Sequence, residues 1–480
     1  MLQTDYYGEM PFTEALGSSL TPKYDDGKTI YEGCLAYLDS ALVYFNKEQI
    51  STATRLSKGD SWNGGDVNKW IKLVYGLKAR WLNKLSKKSI YSPKDILAAL
   101  EKAPNSNQES TIIHHVNDPG DTFGSSLAGV GDPMKTAFIF DVAAWGNHYR
   151  IAKLYMDRLT NPRGKGIEDP RTNYLVPSSE HHRMVKNPAY ETDKSQPEYI
   201  DEKYFVRTKP VDVINDDLRL DGGPLFPNYS VKDKKWFIDS EKDSRKGDTL
   251  YMLMQAKCAM QGITNGDGTY LASDGTIIST GTFYSLPESE TDVLAYPEMC
   301  FIKAEVLFRE GNKQGALDAY KEGVKAHIAL MQSKLNHWGS KQINPYKRPM
   351  DNKEIDAFLA SEAICQKASE LTMSDIMAQK HIAMSFTLEN WNDMRRFNYS
   401  AGNIGNFGVV YPGVERPKEF AAASFQFFPG QSKTDANYWY RRFKHCGHEI
   451  NYNIQNLKDS NPKALEPEVY SVPVWWDTED

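Results

Sequence analysis

Apolar residues recur at three- and four-residue spacing early in the chain, and that period marks one face of an α-helix. From about Thr29 to Asn46 the face is Tyr31, Cys34, Leu35, Leu38, Ala41, Leu42 and Phe45. From about Asp66 to Ser86 it is Val67, Trp70, Ile71, Val74, Leu77, Trp81, Leu82 and Leu85, with Asp66 placed to cap the first turn. Ser92-Pro93-Lys94-Asp95 opens a short helix to about Glu101, because proline is tolerated in a first helical turn. Antiparallel helices with a short connector stack as a hairpin. Before them, Gly8, Pro11, Gly17, Pro22 and Gly27 interrupt every period, so residues 1–28 read as irregular.

A clearer pair follows later. Pro297 opens a helix whose Met299, Cys300, Phe301, Ile302, Ala304, Val306, Leu307 and Phe308 are apolar almost all round, which predicts burial on most sides. Gly311-Asn312 ends it. Lys313 to Met331 forms the partner, with Ala316, Leu317, Tyr320, Val324, Ile328 and Met331 inward. An apolar helix, a Gly-Asn turn and a Gly-Ala-Leu-x-x-Tyr helix resemble a tetratricopeptide (TPR) unit. Further helices are expected at about 351–370 and 374–396, and a helix at 135–159.

Between these regions the period fades. Residues 103–135 are polar and Gly-rich, and residues 161–240 are rich in Pro, Gly, Asn and Asp. A span this long with so little period reads as an ordered functional excursion. Thr269–Ser273 and Thr276–Thr280 flank Asp274-Gly275, a hairpin signal because Asp-Gly accepts the positive φ of a type I′ turn. The chain is loop-rich after residue 396. The fold class expected is mainly α: TPR-like helix pairs forming a right-handed scaffold, a loop-rich second half and a few short β-hairpins.

Composition narrows the function. The chain has 480 residues and a net charge of −6, with no dominant Lys/Arg run. Nucleic-acid binding is excluded on that balance, since a phosphate backbone needs a basic field. Five scattered cysteines, Cys34, Cys258, Cys300, Cys365 and Cys446, form neither a disulfide framework nor a zinc signature and read mostly as small core residues. No apolar run is long enough to cross a membrane, and the N-terminus has no signal-peptide pattern. The aromatic content is 12 %, which suits both cores and flat recognition surfaces.

Seven stretches, in order, resemble the SusD/RagB family of glycan-binding surface lipoproteins. Asp5-Tyr6-Tyr7-Gly8-Glu9-Met10-Pro11-Phe12-Thr13-Glu14-Ala15 is similar to the family's D-x-Y-G-D-x-P-Y-x-E-A. Leu20-Thr21-Pro22-Lys23-Tyr24-Asp25-Asp26 with Ile30-Tyr31, then Gly65–Trp70 with Leu77–Arg80, resemble the helices that follow. Asp169-Pro170-Arg171, Phe301–Val306 and Trp391-Asn392-Asp393-Met394-Arg395-Arg396 resemble D-P-R, F-I-x-A-E and W-x-D-x-R-R. Arg441–Lys444 through Glu449–Asn453 resembles the C-terminal motif, and Pro473–Asp477 looks like the starch-binding-associated branch. The resemblance implies one SusD-like domain over residues 1–480, with helices at about 29–101 and 297–396, a ligand-side excursion at about 161–290 and a C-terminal region at 397–480. It implies a partner, a SusC-like TonB-dependent transporter, and a place on the cell outer membrane, held by a lipid anchor absent from this chain. Relatives carry a lipoprotein signal and a long segment ahead of the D-x-Y-G stretch, so the chain is expected to lack its N-terminal part.

Candidate chemistry is sparse. His445-Cys446-x-His448-Glu449 has metal-ligand residue types but no zinc spacing, and reads as structural. His114-His115 and His181-His182 read as loop residues, and Asn265-Gly266-Asp267-Gly268 as a turn rather than a calcium loop. No nucleophile elbow, P-loop or H-E-x-x-H occurs. No catalytic residue, metal or cofactor is expected. A sugar's C–H face stacks on flat aromatics while polar groups take its hydroxyls. The ligand-binding candidates are Trp236, Tyr229 and Phe226 in the excursion and Trp338 after the helix pair, with Trp62 and Trp439 as further loop tryptophans. Trp236 leads, because polar Lys232–Lys235 beside it imply exposure. Arg395-Arg396 and Arg441-Arg442 read as ties to carboxylates rather than an anion site. The expected function is non-catalytic capture of oligosaccharide for a transporter; the alternative is a cytosolic TPR scaffold for protein partners, or an unrecognised hydrolase.

Overall fold

A computed structural model describes residues 1–48, 50–114, 150–151, 153–175, 290–338, 349–385, 387–400, 402, 404–414 and 439–480, and the backbone of short strands between 183 and 279. The described helices are α1 (Leu2–Tyr7), α2 (Gly27–Phe45), α3 (Val67–Lys84), α4 (Pro93–Leu100), α5 (Lys153–Thr160), α6 (Thr172–Leu175), α7 (Tyr296–Arg309), α8 (Lys313–Trp338), α9 (Asn352–Ala360), α10 (Met373–Ala383), α11 (Leu388–Arg396), α12 (Gly447–Tyr452) and α13 (Ile454–Ser460). The chain divides into two compact units. The first holds Met1–Ser110, Leu294–Gly323 and Ala368–Asp480; the second holds Thr111–Val293 and Val324–Lys367.

In the first unit the helix starts follow their capping chemistry. The Asp26 carboxylate accepts from Thr29 N–H, Asp66 from Asn68 and Lys69 N–H, and Ser92 Oγ from Asp95 N–H. Helix α3 packs against α2, α4 and α7, and α7 packs against α10. Helix α7 buries Met299, Phe301, Ile302, Ala304 and Val306, as its all-round apolar pattern predicts. Gly311, at φ 78°, turns the chain into α8. Phe301 meets Tyr320 edge-on at 6.4 Å, and a Cβ on Gly323 would lie 2.9 Å from the Phe301 ring. The small residue is what lets the two helices approach.

In the second unit, four antiparallel strands form a sheet in the order β3 (Arg183–Lys186), β4 (Tyr204–Arg207), β8 (Lys235–Ile238), β7 (Pro227–Ser230). Strands β5 (Arg219–Leu220) and β6 (Gly223–Pro224) pair separately, as do β2 (Arg150–Ile151) and β9 (Met252–Leu253). Strand β1 (Thr111–Ile113) pairs with β12 (Thr291–Leu294). Strands β10 (Tyr270–Leu271) and β11 (Ile277–Ser279) are the predicted hairpin; its Asp274-Gly275 lies outside the described residues.

Several boundaries depart from the sequence pattern. Residues 1–28 contain α1, held by side-chain ties from Asp5 rather than by any apolar period. The helix expected over 135–159 is described only from Lys153, with strand Arg150–Ile151 before it; residues 135–149 lie outside the described residues. The helix expected over 351–370 stops at Ala360, where the Gln366 amide takes the carbonyls of Leu359, Ser361 and Ile364. Residues 374–396 form two helices. Ser385 and Thr387 hydroxyls return to the carbonyls of Ile382 and Met384, and the Asn390 amide bonds His381 and Met384, so side chains replace the ladder at the break. The C-terminal stretch carries α12 and α13.

Candidate functional site

Most of the motif residues meet inside the first unit, and there they form a buried polar lattice. Glu305 accepts from Arg396 Nη1 at 2.7 Å and Nη2 at 2.9 Å, and from Asn83 Nδ2 at 2.8 Å. Arg396 also donates to Asp393, whose other oxygen lies 2.8 Å from Lys380 Nζ. Arg80 reaches the buried Glu298 through two bonds of 2.6 Å. Asp5 accepts from Lys84 at 2.6 Å, Trp476 Nε1 at 2.9 Å and Asn392 at 3.2 Å. Asp477 accepts from Lys87 at 2.7 Å and Arg441 at 3.1 Å, and Arg442 donates to Glu9 at 2.5 Å.

Three of the four arginines take carboxylates, as the sequence implied. Arg395 does not. Its guanidinium donates to the carbonyls of Asp5 and Arg441 and to Asn392 Oδ1, and lies 3.7 Å from the Trp391 ring and 4.5 Å from that of Trp476. A planar donor fork suits carbonyls at the junction of three segments, and the rings cover its faces.

Burial pushes the Glu305 carboxyl up, but the charges of Arg396 and then Arg309 outweigh it and hold the group far below the carboxylate range. Glu389 behaves alike: Lys84 and Arg80 overcome burial and bring it to about 2. Broken buried pairs leave a bare charge, so this lattice fixes the segments relative to one another. Its ions are buried and mutually spent, which makes it a frame rather than a ligand surface.

The aromatic candidates sit elsewhere. Strands β7 and β8 place Tyr229 opposite Trp236, and β4 places Val206 opposite Trp236 on the other side. Directly opposed positions share a sheet face, and so do positions two apart. Tyr204 therefore shares the face of Trp236 and Tyr229. The alternating Tyr204-Phe205-Val206-Arg207 was its signal in the sequence, although the pairing across the intervening chain was not legible. Phe226 lies outside the described residues. Trp338 is the last residue of α8 in backbone.

The other candidates make contacts within the first unit. Trp62 stacks on Trp70 at 5.9 Å, and Asp60 takes Trp70 Nε1 at 2.7 Å together with the N–H groups of Trp62, Asn63 and Gly65. Trp439 stacks on Tyr399 at 4.3 Å. His445 is buried and bonds the Glu9 carbonyl at 3.0 Å, and Glu449 accepts from the Tyr24 hydroxyl. No group of residues able to hold a metal occurs among the described residues. His114 Nδ1 lies 2.6 Å from Glu290; His115, His181, His182 and Asn265–Gly268 lie outside the described residues. Cys300 and Cys365 are buried, Cys34 is half-buried and Cys446 is exposed, so the core reading holds for two of them; Cys258 lies outside the described residues. Sequence reasoning missed a buried contact between Arg171 and His327, which are 156 positions apart.

This helical frame with inserted short strands is a known architecture. It is the SusD/RagB fold. A SusD/RagB family protein from Bacteroides thetaiotaomicron superposes with a TM-score of 0.55 at 17% identity, covering 100% of this chain and 78% of that one. A Bacteroidetes SusD-like protein gives 0.59 at 19%, covering 99% and 81%. A chitin-binding SusD homolog from Flavobacterium johnsoniae gives 0.53 at 15%, covering 99% and 78%. In sequence, residues 1–192 match the SusD-like family described as "Starch-binding associating with outer membrane". No curated protein matches the sequence. No described helix is long and apolar enough to cross a membrane.

Proposed function

We propose that this chain is a non-catalytic, cell-surface glycan-binding protein that captures oligosaccharide and passes it to a TonB-dependent outer-membrane transporter. The observation that carries the reading is the match of residues 1–192 to the starch-binding, outer-membrane-associating family, in a chain with the SusD/RagB fold. A relative in fold that binds chitin supports a glycan as the ligand class. The ligand face is the sheet that pairs Tyr229 with Trp236. Paired aromatic positions suit the C–H face of a pyranose. Both units serve one SusD-like domain that works at the outer membrane with a SusC-like partner.

A glycan array tests the reading, with starch- and chitin-derived oligosaccharides included. Selective retention of one glycan class is expected. Uniform absence of binding across the array would remove the glycan reading and return the chain to a protein-binding scaffold.

A further inference from the structure

Asp169, Arg171 and His327 form a buried line within the second unit. Arg171 Nε and Nη2 donate to the two Asp169 oxygens at 2.9 and 2.6 Å, and Arg171 Nη1 lies 2.8 Å from His327 Nδ1. A guanidinium has donors only, so Nδ1 must accept and the ring proton must sit on Nε2. Nε2 has no hydrogen-bond partner among the described residues. The ring is therefore held in one tautomer from one side.

Among the described residues, the charges that act on the His327 ring are the positive ones of Arg171 and Lys334. The Asp169 carboxylate is taken by Arg171. Lys334, on the same helix as His327, is buried and paired with Asp292 at 2.7 Å, with Glu290 at 3.9 Å. Arg158 on α5 adds a buried positive charge to this unit, and Tyr174 on α6 is a buried phenol whose pKa burial pushes up to about 12. A proton on Nδ1 would aim an N–H at a guanidinium N–H 2.8 Å away, between two buried side chains.

We propose that Asp169–Arg171–His327 is an acid-operated latch: proton uptake by His327 is incompatible with the Arg171 contact and releases the 169–175 segment from α8. The closed latch keeps the ring neutral, because burial first, and then Arg171 and Lys334, drive its pKa well below the usual 6.5. The open latch titrates at the ordinary value. The closed state is thus fully favoured above about pH 6.5 and loses ground as pH falls. With the open ring half protonated at about pH 6.5, its proton uptake shifts the equilibrium roughly sixteenfold between pH 6.5 and 5.0.

Hydrogen exchange on the full chain, corrected for intrinsic rates, tests the latch. Protection at residues 169–175 and 324–335 is expected to fall about sixteenfold from pH 6.5 to 5.0. In His327→Asn, whose amide oxygen replaces Nδ1 as the acceptor, the fall is expected to be under about threefold. An equal fall in both proteins overturns the latch. Nitrogen-15 NMR of the wild-type ring gives a second reading that needs no variant. A neutral Nε2–H ring in the folded protein at pH 7.5 and at 5.5 supports the latch; an Nδ1–H tautomer, or a folded imidazolium at pH 5.5, overturns it.

Discussion

Trp476 donates its indole N–H to the Asp5 carboxylate at 2.9 Å, across 471 positions of the chain. Around this bond the two ends of the sequence close on each other. Asp5 also holds Lys84, Trp476 packs with Tyr31, Leu85 and Val474, and Asp477 next to it holds Lys87 and Arg441. Trp476→Phe removes the N–H together with part of the buried indole, leaving Asp5 with Lys84 and Asn392 and a cavity beside them. A loss of about 1–3 kcal/mol is expected in denaturant unfolding.

Removing residues 475–480 is expected to do far more. It strips Lys87 and Arg441 of their buried carboxylate at once. A truncated chain with an intact near-ultraviolet circular dichroism spectrum would show that the C-terminal clasp is dispensable.

Arg396 is the hub of the buried lattice, shared by Glu305 and Asp393. Arg396→Met leaves both acids without it and is expected to destabilise the protein by about 3–5 kcal/mol. Arg396→Lys keeps the charge but loses the two-pronged contact with Glu305, and should fall between the wild type and Met. Equal stability of all three in urea titration would mean that the lattice contributes little.

Acid should weaken the first unit through the same carboxylates. Glu305 and Glu389 both titrate lower when folded than when unfolded. Their contribution is therefore complete above the unfolded value of about 4.3 and is lost as pH falls toward about 2. Urea midpoints at pH 7, 5 and 3 should show a small change over the first interval and a steep one over the second. Arg396→Met should flatten the second.

Gly8 sits at φ 81°, and a Cβ there would stand 2.7 Å from Arg442 Nη1. Gly8→Ala combines a left-handed backbone with a clash against a guanidinium that is bonded to Glu9 and to three carbonyls. A loss of about 1–3 kcal/mol is expected in thermal or urea unfolding.

What the sequence revealed follows from range. Asp66 as a cap, Gly311 as a turn and Tyr320 as the residue between two helices are local matters of propensity and period, and each was legible. The breaks at Ala360 and Met384 were not, because they depend on where the Gln366 and Asn390 amides reach after folding. Helix α1 has no apolar period and exists through Asp5. The motif resemblance located Glu305, Asp393 and Arg396 without saying that they touch. At the candidate site, aromatic composition drew attention to Trp236 and Tyr229, whereas their opposition in the sheet, and the place of Tyr204 on the same face, depend on strand register.

We propose that this chain binds glycan on the face marked by Trp236. Isothermal titration of the wild type and Trp236→Ala, with starch- and chitin-derived oligosaccharides, tests it most directly. Saturable binding by the wild type is predicted, weakened at least about tenfold in Trp236→Ala by loss of one stacking partner, with unfolding midpoints unchanged. Wild-type binding with full affinity retained in Trp236→Ala would contradict the site, and absence of heat with every glycan would contradict the function.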